Sequence, residues 1–348
     1  MKISSIALLT LLIGFANSCA TTKTDKAKAS DTTKTAYEEP NVISRIDTIY
    51  VVNSEFDELD GLFDHISHNT HDIALPDTLY FAGEPVPMDL FYVRERLERE
   101  LLVNSYLHSS TLLILKRCHR WFPTIEATLK KHGVPDDFKY LAVIESGLAN
   151  VVSPSKAVGF WQFLEGTAKD FGLEVNNEVD MRYNVELEGV AACSYLQKSY
   201  QKFGSWTLAA AAYNAGNGRI NQFIDYQMVD SYYDMMLSEE TERYVFRILA
   251  LKLIIENPEK YGFRLSDDLL YQPLDYKTVT VTENIPNLAE FAISNGVSYK
   301  LLKMFNPWLR GKSLTVKNGK SYEIKIPTGD FAKTYHQLSL PADSTKNE

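Results

Sequence analysis

Glu145 is the residue whose position points most directly to chemistry. In residues 135–147, Phe138, Leu141, Ala142 and Glu145 follow the three- and four-residue spacing of one helix face, which places a carboxylate on the apolar stripe. Burial disfavours the charged form, as does the negative end of a helix that closes at the glycine two residues later, so we expect a raised pKa. Such a carboxyl can act as a general acid. The alternative is a structural Glu paired with Arg or Lys.

Three further segments follow Glu145-Ser146 in a fixed order. They are SPSKAVGFWQFL at residues 153–164, AYNAGNG at residues 212–218 and ETERYV at residues 240–245. Together they resemble the catalytic domain of lytic transglycosylases, of the soluble lytic transglycosylase and goose-type lysozyme kind. The resemblance covers about residues 91–265, and the helix pair before Glu145 is similar to the membrane-bound lytic transglycosylase D branch.

The resemblance implies a lysozyme-like helical fold and a role for each motif residue. Glu145 would be the acid and then the base, while Ser153 and Gln162 would hydrogen-bond the sugar. Tyr213 would orient Glu145 or the N-acetyl group of the substrate. The implied substrate-binding set is Ser153, Gln162, Leu164, Tyr213, Glu240 and Tyr244, with Glu240 and Tyr244 lining the cleft. No metal and no cofactor is implied.

The loop after Glu145 departs from the family pattern at two positions. Lys156 stands where the family usually has Gly, and Phe160 stands where it usually has Leu. A side chain at position 156 disfavours a positive φ, so this substitution bears on the turn that carries Ser153. Phe160 and Trp161 can serve either as packing residues or as a platform for sugar.

Most glycosidases use two carboxylates, and the motif around Glu145 supplies no obvious second one. In the family, a single Glu serves both steps, and the C6 hydroxyl of the substrate attacks C1. The implied partner is peptidoglycan and the implied product is a 1,6-anhydromuramoyl end. Two alternatives stay open: a hydrolytic muramidase of the goose lysozyme kind, and a non-catalytic peptidoglycan-binding lipoprotein.

The elements that must position these residues are almost wholly helical from residue 88 to residue 265. Apolar residues at three and four spacing predict helices over residues 91–108, 112–133, 138–146, 184–203, 205–214 and 238–256. The fold class is therefore mainly α. Asn214 is interpreted as structural, because Asn-Ala-Gly is a good helix stop.

Residues 276–327 show a different pattern. Strands are predicted at Val279–Val281 and at residues 322–327, with helices over 287–294 and 298–305 between them. This βααβ order resembles a LysM domain, which binds glycans that contain N-acetylglucosamine. Residues 283–288 replace the usual Gly-Asp-(Ser/Thr)-Leu, so the Gly that permits close approach of a sugar is missing. Glycan binding by this module is therefore left open.

The N-terminus predicts export. An apolar run over residues 6–15 and small residues before Cys19 have the layout of a lipoprotein signal peptide, with ordinary secretion as the alternative. Residues 20–39 read as a flexible tether, residues 40–87 are unassigned and residues 328–348 are a tail. His65, His68 and His71 recur at helical spacing and favour a polar surface over a metal site. The expected location is the outer membrane, facing the periplasm.

Composition limits the partners. The formal net charge is -9, the pI is about 5.4 and the sequence shows no basic stripe that could neutralise phosphates. Nucleic acid is therefore not an expected partner. Beyond Cys19 only Cys118 and Cys193 remain. They form no disulfide framework, although one bridge between them is an alternative.

Overall fold

The computed structural model describes residues 72–317 and 319–329, and this part of the chain is mainly helical. The α-helices and strands are β1 (Tyr80–Phe81), β2 (Glu84–Pro85), α1 (Phe91–Tyr106), α2 (His108–Lys131), α3 (Lys139–Ser146), α4 (Glu165–Asp170), α5 (Val185–Phe203), α6 (Trp206–Ala215), α7 (Asn217–Gln227), α8 (Glu239–Glu256), β3 (Tyr276–Val281), α9 (Leu288–Ser294), α10 (Tyr299–Phe305) and β4 (Tyr322–Pro327). The predicted fold class, a helical domain followed by a small βααβ unit, is confirmed.

Helix α8 lies at the centre of the helical domain. Its buried residues include Tyr244, Val245, Phe246 and Ile248, which point to different sides of the helix. A helix that is apolar on most sides belongs in a core rather than at a surface. α8 packs against α1, α3 and α6, so its side chains can reach residues contributed by three other helices.

Helix α6 packs closely because its buried positions are small. Ala209–Ala212 are fully buried, which lets α6 approach both α5 and α8. The N-terminus of α6 is capped twice: the Ser205 hydroxyl accepts a bond from the Leu208 N–H at 3.2 Å, and the Glu84 carboxylate accepts one from the Thr207 N–H at 2.9 Å. These caps fix the position of α6, and with it the residues at its C-terminal end.

Some helix boundaries differ from the predicted ones. The first helix ends at Tyr106 rather than at residue 108, and the second begins at His108 rather than at residue 112. Helix α7 has no counterpart among the predicted helices, because its apolar stripe is limited to Ile220, Phe223 and Ile224, and only Ile220 is buried. The Asn-Ala-Gly stop does end α6, and α7 begins directly after Gly216.

The C-terminal module is an antiparallel strand pair with two helices between the strands. Tyr276 pairs with Pro327 and Val281 with Tyr322. In the segment that departs from the LysM pattern, Ile285 exchanges two backbone hydrogen bonds of 2.9 Å with Leu314. The backbone groups of this residue are thus already paired within the module.

This module is docked onto residues 174–186 of the helical domain. The Glu178 carbonyl accepts a bond from the Arg310 N–H at 2.7 Å, and the Asp180 N–H donates to the Trp308 carbonyl at 2.9 Å. The Glu178 carboxylate accepts a bond from the Ser313 hydroxyl at 2.6 Å. Backbone and side-chain bonds together give the module a defined seat on the helical domain.

Both cysteines of the helical domain are free and buried, so the alternative of a bridge between Cys118 and Cys193 is wrong. Burial raises the pKa of the Cys193 thiol to about 12, which keeps it protonated. These residues act as small core side chains.

Two observations concern membrane-spanning helices and metal sites in the described residues. Across residues 72–317 and 319–329, every helix is too short or too polar to cross a bilayer. The same ranges hold no group of three His, Cys, Asp or Glu residues arranged for a metal ion. The predicted features at Cys19 and at His65, His68 and His71 lie outside the described residues.

A buried acid holds the loop between α3 and α4. Glu188 on α5 is fully buried, and its carboxylate accepts bonds of 2.9 Å from the N–H groups of Phe160 and Trp161. Gly159 precedes them with φ +92, and a side chain there would collide with the Arg182 carbonyl and with Glu188. Burial raises the pKa of Glu188 well above its usual range, despite the two donors. The centre of the loop therefore receives two of its hydrogen bonds from one internal carboxyl.

We expect Glu188→Ala to lower the free energy of unfolding by about 2–4 kcal/mol, because two buried N–H groups lose their acceptor. Glu188→Gln should cost less, since one acceptor oxygen remains. Glu165→Ala is the control, because Glu165 is exposed and pairs only with Lys169, so a change of about 0.5 kcal/mol or less is expected. Denaturant unfolding measures all three. Equal effects of Glu188→Ala and Glu165→Ala would contradict the assignment.

Candidate active site

Glu145 lies at the C-terminal end of α3, where the core meets an open cleft. α3 ends at Ser146, and Gly147 adopts φ +58, the left-handed conformation that turns the chain away. Tyr244 of α8 donates a short hydrogen bond to Oε1 of Glu145. The carboxyl is thus anchored on its core side, while the residue also lines the cleft.

The surroundings of Glu145 raise its pKa to about 7. Desolvation by burial is the largest cause, and the negative charge of Glu240 acts in the same direction. The hydrogen bond from Tyr244 and the positive charge of Arg247 lower the pKa, but by less. The rise expected from the apolar stripe is confirmed. Near neutral pH a large fraction of Glu145 is protonated, as a general acid requires.

The cleft has a volume of about 590 Å³, which is in the range of sites that bind small molecules or sugar units. Hydroxyl, amide, carboxyl and apolar groups all face it. Its lining residues are Glu145, Ser153, Pro154, Ser155, Ala157, Gln162, Phe163, Leu164, Thr167, Tyr195, Tyr213, Asn214, Ala215, Gly216 and Glu240. Five of the six predicted substrate-binding residues are therefore brought to one cleft with Glu145.

Ser153 and Gln162 keep part of their hydrogen-bonding capacity for a ligand. The Ser153 hydroxyl oxygen accepts a bond from the Ala157 N–H at 2.9 Å, which leaves its proton to donate. Nε2 of Gln162 donates to the carbonyls of Gly159 at 2.8 Å and Val151 at 3.2 Å, which leaves Oε1 as an acceptor. These bonds also fix the orientation of both side chains.

The loop holds three side chains in the left-handed region of backbone conformation, and the first is that of Leu148, with φ +54. Lys156 has φ +64 and Gln162 has φ +53. Lys156 therefore adopts the turn that the family usually builds with Gly, and the chain accepts the strain. Strained residues persist where the surrounding structure holds them, as it does here through Glu188.

The two tyrosines make different contacts in the structure. The Tyr213 hydroxyl donates to the Trp161 carbonyl at 2.8 Å, so it holds the loop while its ring lines the cleft. Tyr244 is only 2% exposed and does not line the cleft. Of the two, Tyr244 is the one that contacts Glu145.

A second carboxylate, that of Glu240, also lines the cleft. It comes from the start of α8, far from Glu145 in sequence, and it is exposed. Nδ2 of Asn214 donates to Oε1 of Glu240 at 3.3 Å, and Oδ1 of Asn214 accepts a bond from the Thr241 hydroxyl at 2.8 Å. Asn214 is thus more than a helix stop, since it connects the end of α6 to the start of α8 at the cleft.

Phe160 and Trp161 are packing residues. Each is 1% exposed, and Phe160 makes an edge-to-face contact with Trp121 at 5.1 Å between ring centroids. Neither ring offers a face to a ligand, so the sugar-platform alternative is wrong for both.

The sequence interpretation missed Glu188, although a signal for it exists. Val185, Glu188 and Ala192 follow the same three- and four-residue spacing that marked Glu145. The interpretation also missed Arg247, whose charge acts on Glu145 from the next turn of α8.

The comparisons with known proteins agree with this geometry. Residues 122–235 match the family described as "Transglycosylase SLT domain", and residues 277–330 match "Soluble lytic transglycosylase C-terminal LysM-like domain". "Membrane-bound lytic murein transglycosylase D" of Escherichia coli (strain K12) is 30% identical over 288 residues, covering 77% of this chain and 62% of that protein. The protein of the same name from Escherichia coli O6:H1 gives the same values.

The chain thus spans less than two thirds of the length of these curated relatives. Both family matches lie on segments whose fold and contacts were described above. Residues 122–235 are thus similar to the SLT transglycosylase domain family, and residues 277–330 are similar to the LysM-like domain family of soluble lytic transglycosylases.

Proposed function

We propose that this protein is a peptidoglycan lytic transglycosylase that acts in turnover or remodelling of the cell wall. It cleaves the β-1,4 bond between N-acetylmuramic acid and N-acetylglucosamine without water and leaves a 1,6-anhydromuramoyl end. The observation that carries the proposal is Glu145, a carboxyl with a pKa of about 7 at the edge of a polar cleft. The two domain families and the names of the relatives support the same reaction class.

The proposed reaction uses one protein carboxyl twice. Protonated Glu145 gives its proton to the glycosidic oxygen as the C1–O bond breaks, and the N-acetyl group of the substrate assists at C1. The Glu145 carboxylate then takes the proton of the C6 hydroxyl as that oxygen bonds to C1. The acid is regenerated and no water is consumed.

The other cleft residues hold the sugars. Ser153 donates and Gln162 accepts hydrogen bonds to the sugars beside the cleaved bond, which fits the groups that their internal bonds leave free. Leu164 is 48% exposed and offers an apolar surface to a sugar ring. Tyr213 positions the loop and Tyr244 tunes Glu145.

One observation favours a second candidate, a hydrolytic muramidase of the goose lysozyme kind. Hydrolysis needs a group that activates water, and Glu240 is a carboxylate in the same cleft. Against this role, Glu240 is exposed, and Asn214 donates a hydrogen bond to it. The lytic reaction needs Glu240 only as a binding residue.

The location in the cell follows from the N-terminal sequence. The apolar run before Cys19 supports export and lipid attachment at Cys19, and the matched relatives are named as membrane-bound. A single lipid chain binds membranes only marginally, so the several chains of a lipoprotein anchor would hold the enzyme at the envelope. The proposed site is the outer membrane, facing the periplasm.

Glu145→Gln should lower the release of muropeptides from purified sacculi by about 100- to 10,000-fold, because the proton donor is lost. Mass spectrometry of the wild-type products should give anhydro ends, one water lighter than the hydrolysed ends. Glu239→Gln is the matched control, since Glu239 lies in the same helical turn as Glu240 without lining the cleft.

Two outcomes would contradict this prediction. Substantial activity of Glu145→Gln would show that Glu145 is not the proton donor and that another group fills this role. Reducing ends in the wild-type digest would instead favour the muramidase, and Glu240→Gln should then abolish activity as well.

The value of kcat/KM should fall as the pH rises through about 7, because Glu145 must be protonated to act as the general acid. Glu240→Gln removes a negative charge that raises the pKa of Glu145, so this alkaline limb should move to lower pH. Tyr244→Phe removes a hydrogen bond that lowers the pKa, so the limb should move to higher pH. Shifts in the same direction, or no shift in either variant, would contradict the assignment of Glu145.

Cys19→Ser should transfer the protein from the membrane fraction to the soluble fraction, because the acceptor of the lipid is lost. Intact mass spectrometry of the wild-type membrane fraction should show the added lipid. Cys118→Ser is the control, since Cys118 is a buried thiol of the helical domain. Soluble wild-type protein of unmodified mass would point to ordinary secretion.

A further inference from the structure

A second groove of about 550 Å³ adjoins the catalytic cleft. Ser155 and Leu164 line both, so the two spaces are continuous at the loop before α4. The groove runs from this loop to the seat of the C-terminal module, whose Arg310 forms part of its wall. A ligand that leaves the cleft on this side meets residues of both domains.

The groove carries an excess of positive charge. Its two acids are already paired: Asp180 binds the Arg182 guanidinium at 2.9 and 2.8 Å, and Glu165 binds Lys169 at 2.6 Å. Lys156 and Arg310 also line it, and neither forms an ion pair with any residue in the described ranges. In a chain with a net charge of -9, two cations without acids at the edge of the cleft indicate an anionic ligand.

The Arg310 guanidinium and the backbone of Lys156 are held in place. The Arg310 guanidinium lies over the Tyr183 ring at 4.3 Å from its centroid, and its Nη1 donates to the Pro307 carbonyl at 3.0 Å. The remaining N–H groups of this planar fork suit a carboxylate. Lys156 occupies its left-handed turn through a bond from its N–H to the Ser153 carbonyl at 2.8 Å and a bond from Arg182 to its own carbonyl at 3.3 Å.

We infer that this groove binds the acidic stem peptide of the peptidoglycan strand, with Lys156 and Arg310 contacting its carboxylates. The inference rests on the proposed function, because the muramoyl sugar held in the cleft carries the peptide on its lactyl group. Clustered cations are a common means of recognising acidic peptides. The C-terminal module thereby supplies a specificity residue to the enzyme through Arg310.

The test compares two substrates with the full-length chain. One is glycan strands with their stem peptides, and the other is the same strands after an amidase has removed the peptides. In the double variant Lys156→Gly with Arg310→Gln, the ratio of kcat/KM on the first substrate to that on the second should fall about tenfold. Lys156→Gly alone should lower the ratio less, and Gly accepts φ +64 without strain, so the turn is preserved. Lys300→Gln, an exposed site on α10 outside the groove, should leave the ratio unchanged.

An unchanged ratio in the double variant, or an equal loss on both substrates, would overturn the inference. Thermal unfolding of each variant shows whether the module stays attached to the helical domain. If Arg310→Gln lowers the midpoint temperature of unfolding, the ratio of kcat/KM values measured for Lys156→Gly alone decides the test. A binding arm separates this inference from the proposed function. Glu145→Gln protein should sediment with peptide-bearing strands more than with bare strands, and the two groove substitutions should remove that preference. Selective sedimentation together with an inactive wild-type protein would support peptide binding by the groove and contradict the proposed enzymatic function. Equal sedimentation with both kinds of strand would overturn peptide binding by the groove.

Discussion

The proposed reaction depends on keeping the Glu145 carboxyl desolvated while leaving it open to the cleft. Full burial would block the substrate, and full exposure would return the pKa to its ordinary range. The chain meets both requirements by ending α3 at Ser146, where the buried helix reaches the cleft. Tyr244 and Arg247 then limit the rise of the pKa to about 7, so the group can both give and take a proton near neutral pH.

Ser153, Gln162 and Leu164 of the cleft come from a loop that other parts of the chain help to hold in place. Lys156 and Gln162 adopt positive φ values, and the N–H groups at the centre of the loop point into the core. Glu188 accepts two of these bonds, while Tyr213 binds the Trp161 carbonyl from another helix. The geometry of the proposed site therefore depends on a carboxyl that is fully buried, since small displacements of positioning groups cost a large share of the rate of a reaction.

The sequence predicted most of the helices, but three acids meet the rule that singled out Glu145 as the proposed acid. Glu100, Glu145 and Glu188 all lie in helices among apolar neighbours. Arg99 and Arg243 pair with Glu100, and backbone N–H groups satisfy Glu188. Apart from Arg99, these partners come from a distant helix or from a loop, so periodicity within one helix cannot separate a structural acid from a reactive one. The motif order supplied that distinction, whereas the meeting of Glu145 with Glu240 required the fold.

The seat of the C-terminal module shows most clearly what periodicity cannot predict. The βααβ order identifies the module, yet its attachment depends on Glu174, Glu178 and Glu186, which look like ordinary surface acids in the sequence. Each binds a group of the module, namely Lys320, Ser313 and Lys325. A surface ion pair contributes little when isolated, but here the pairs flank backbone bonds between Asp180 and Trp308 and between Glu178 and Arg310. Those bonds fix Arg310 beside the loop before α4, in the position from which the C-terminal module would contact a stem peptide in the proposed groove.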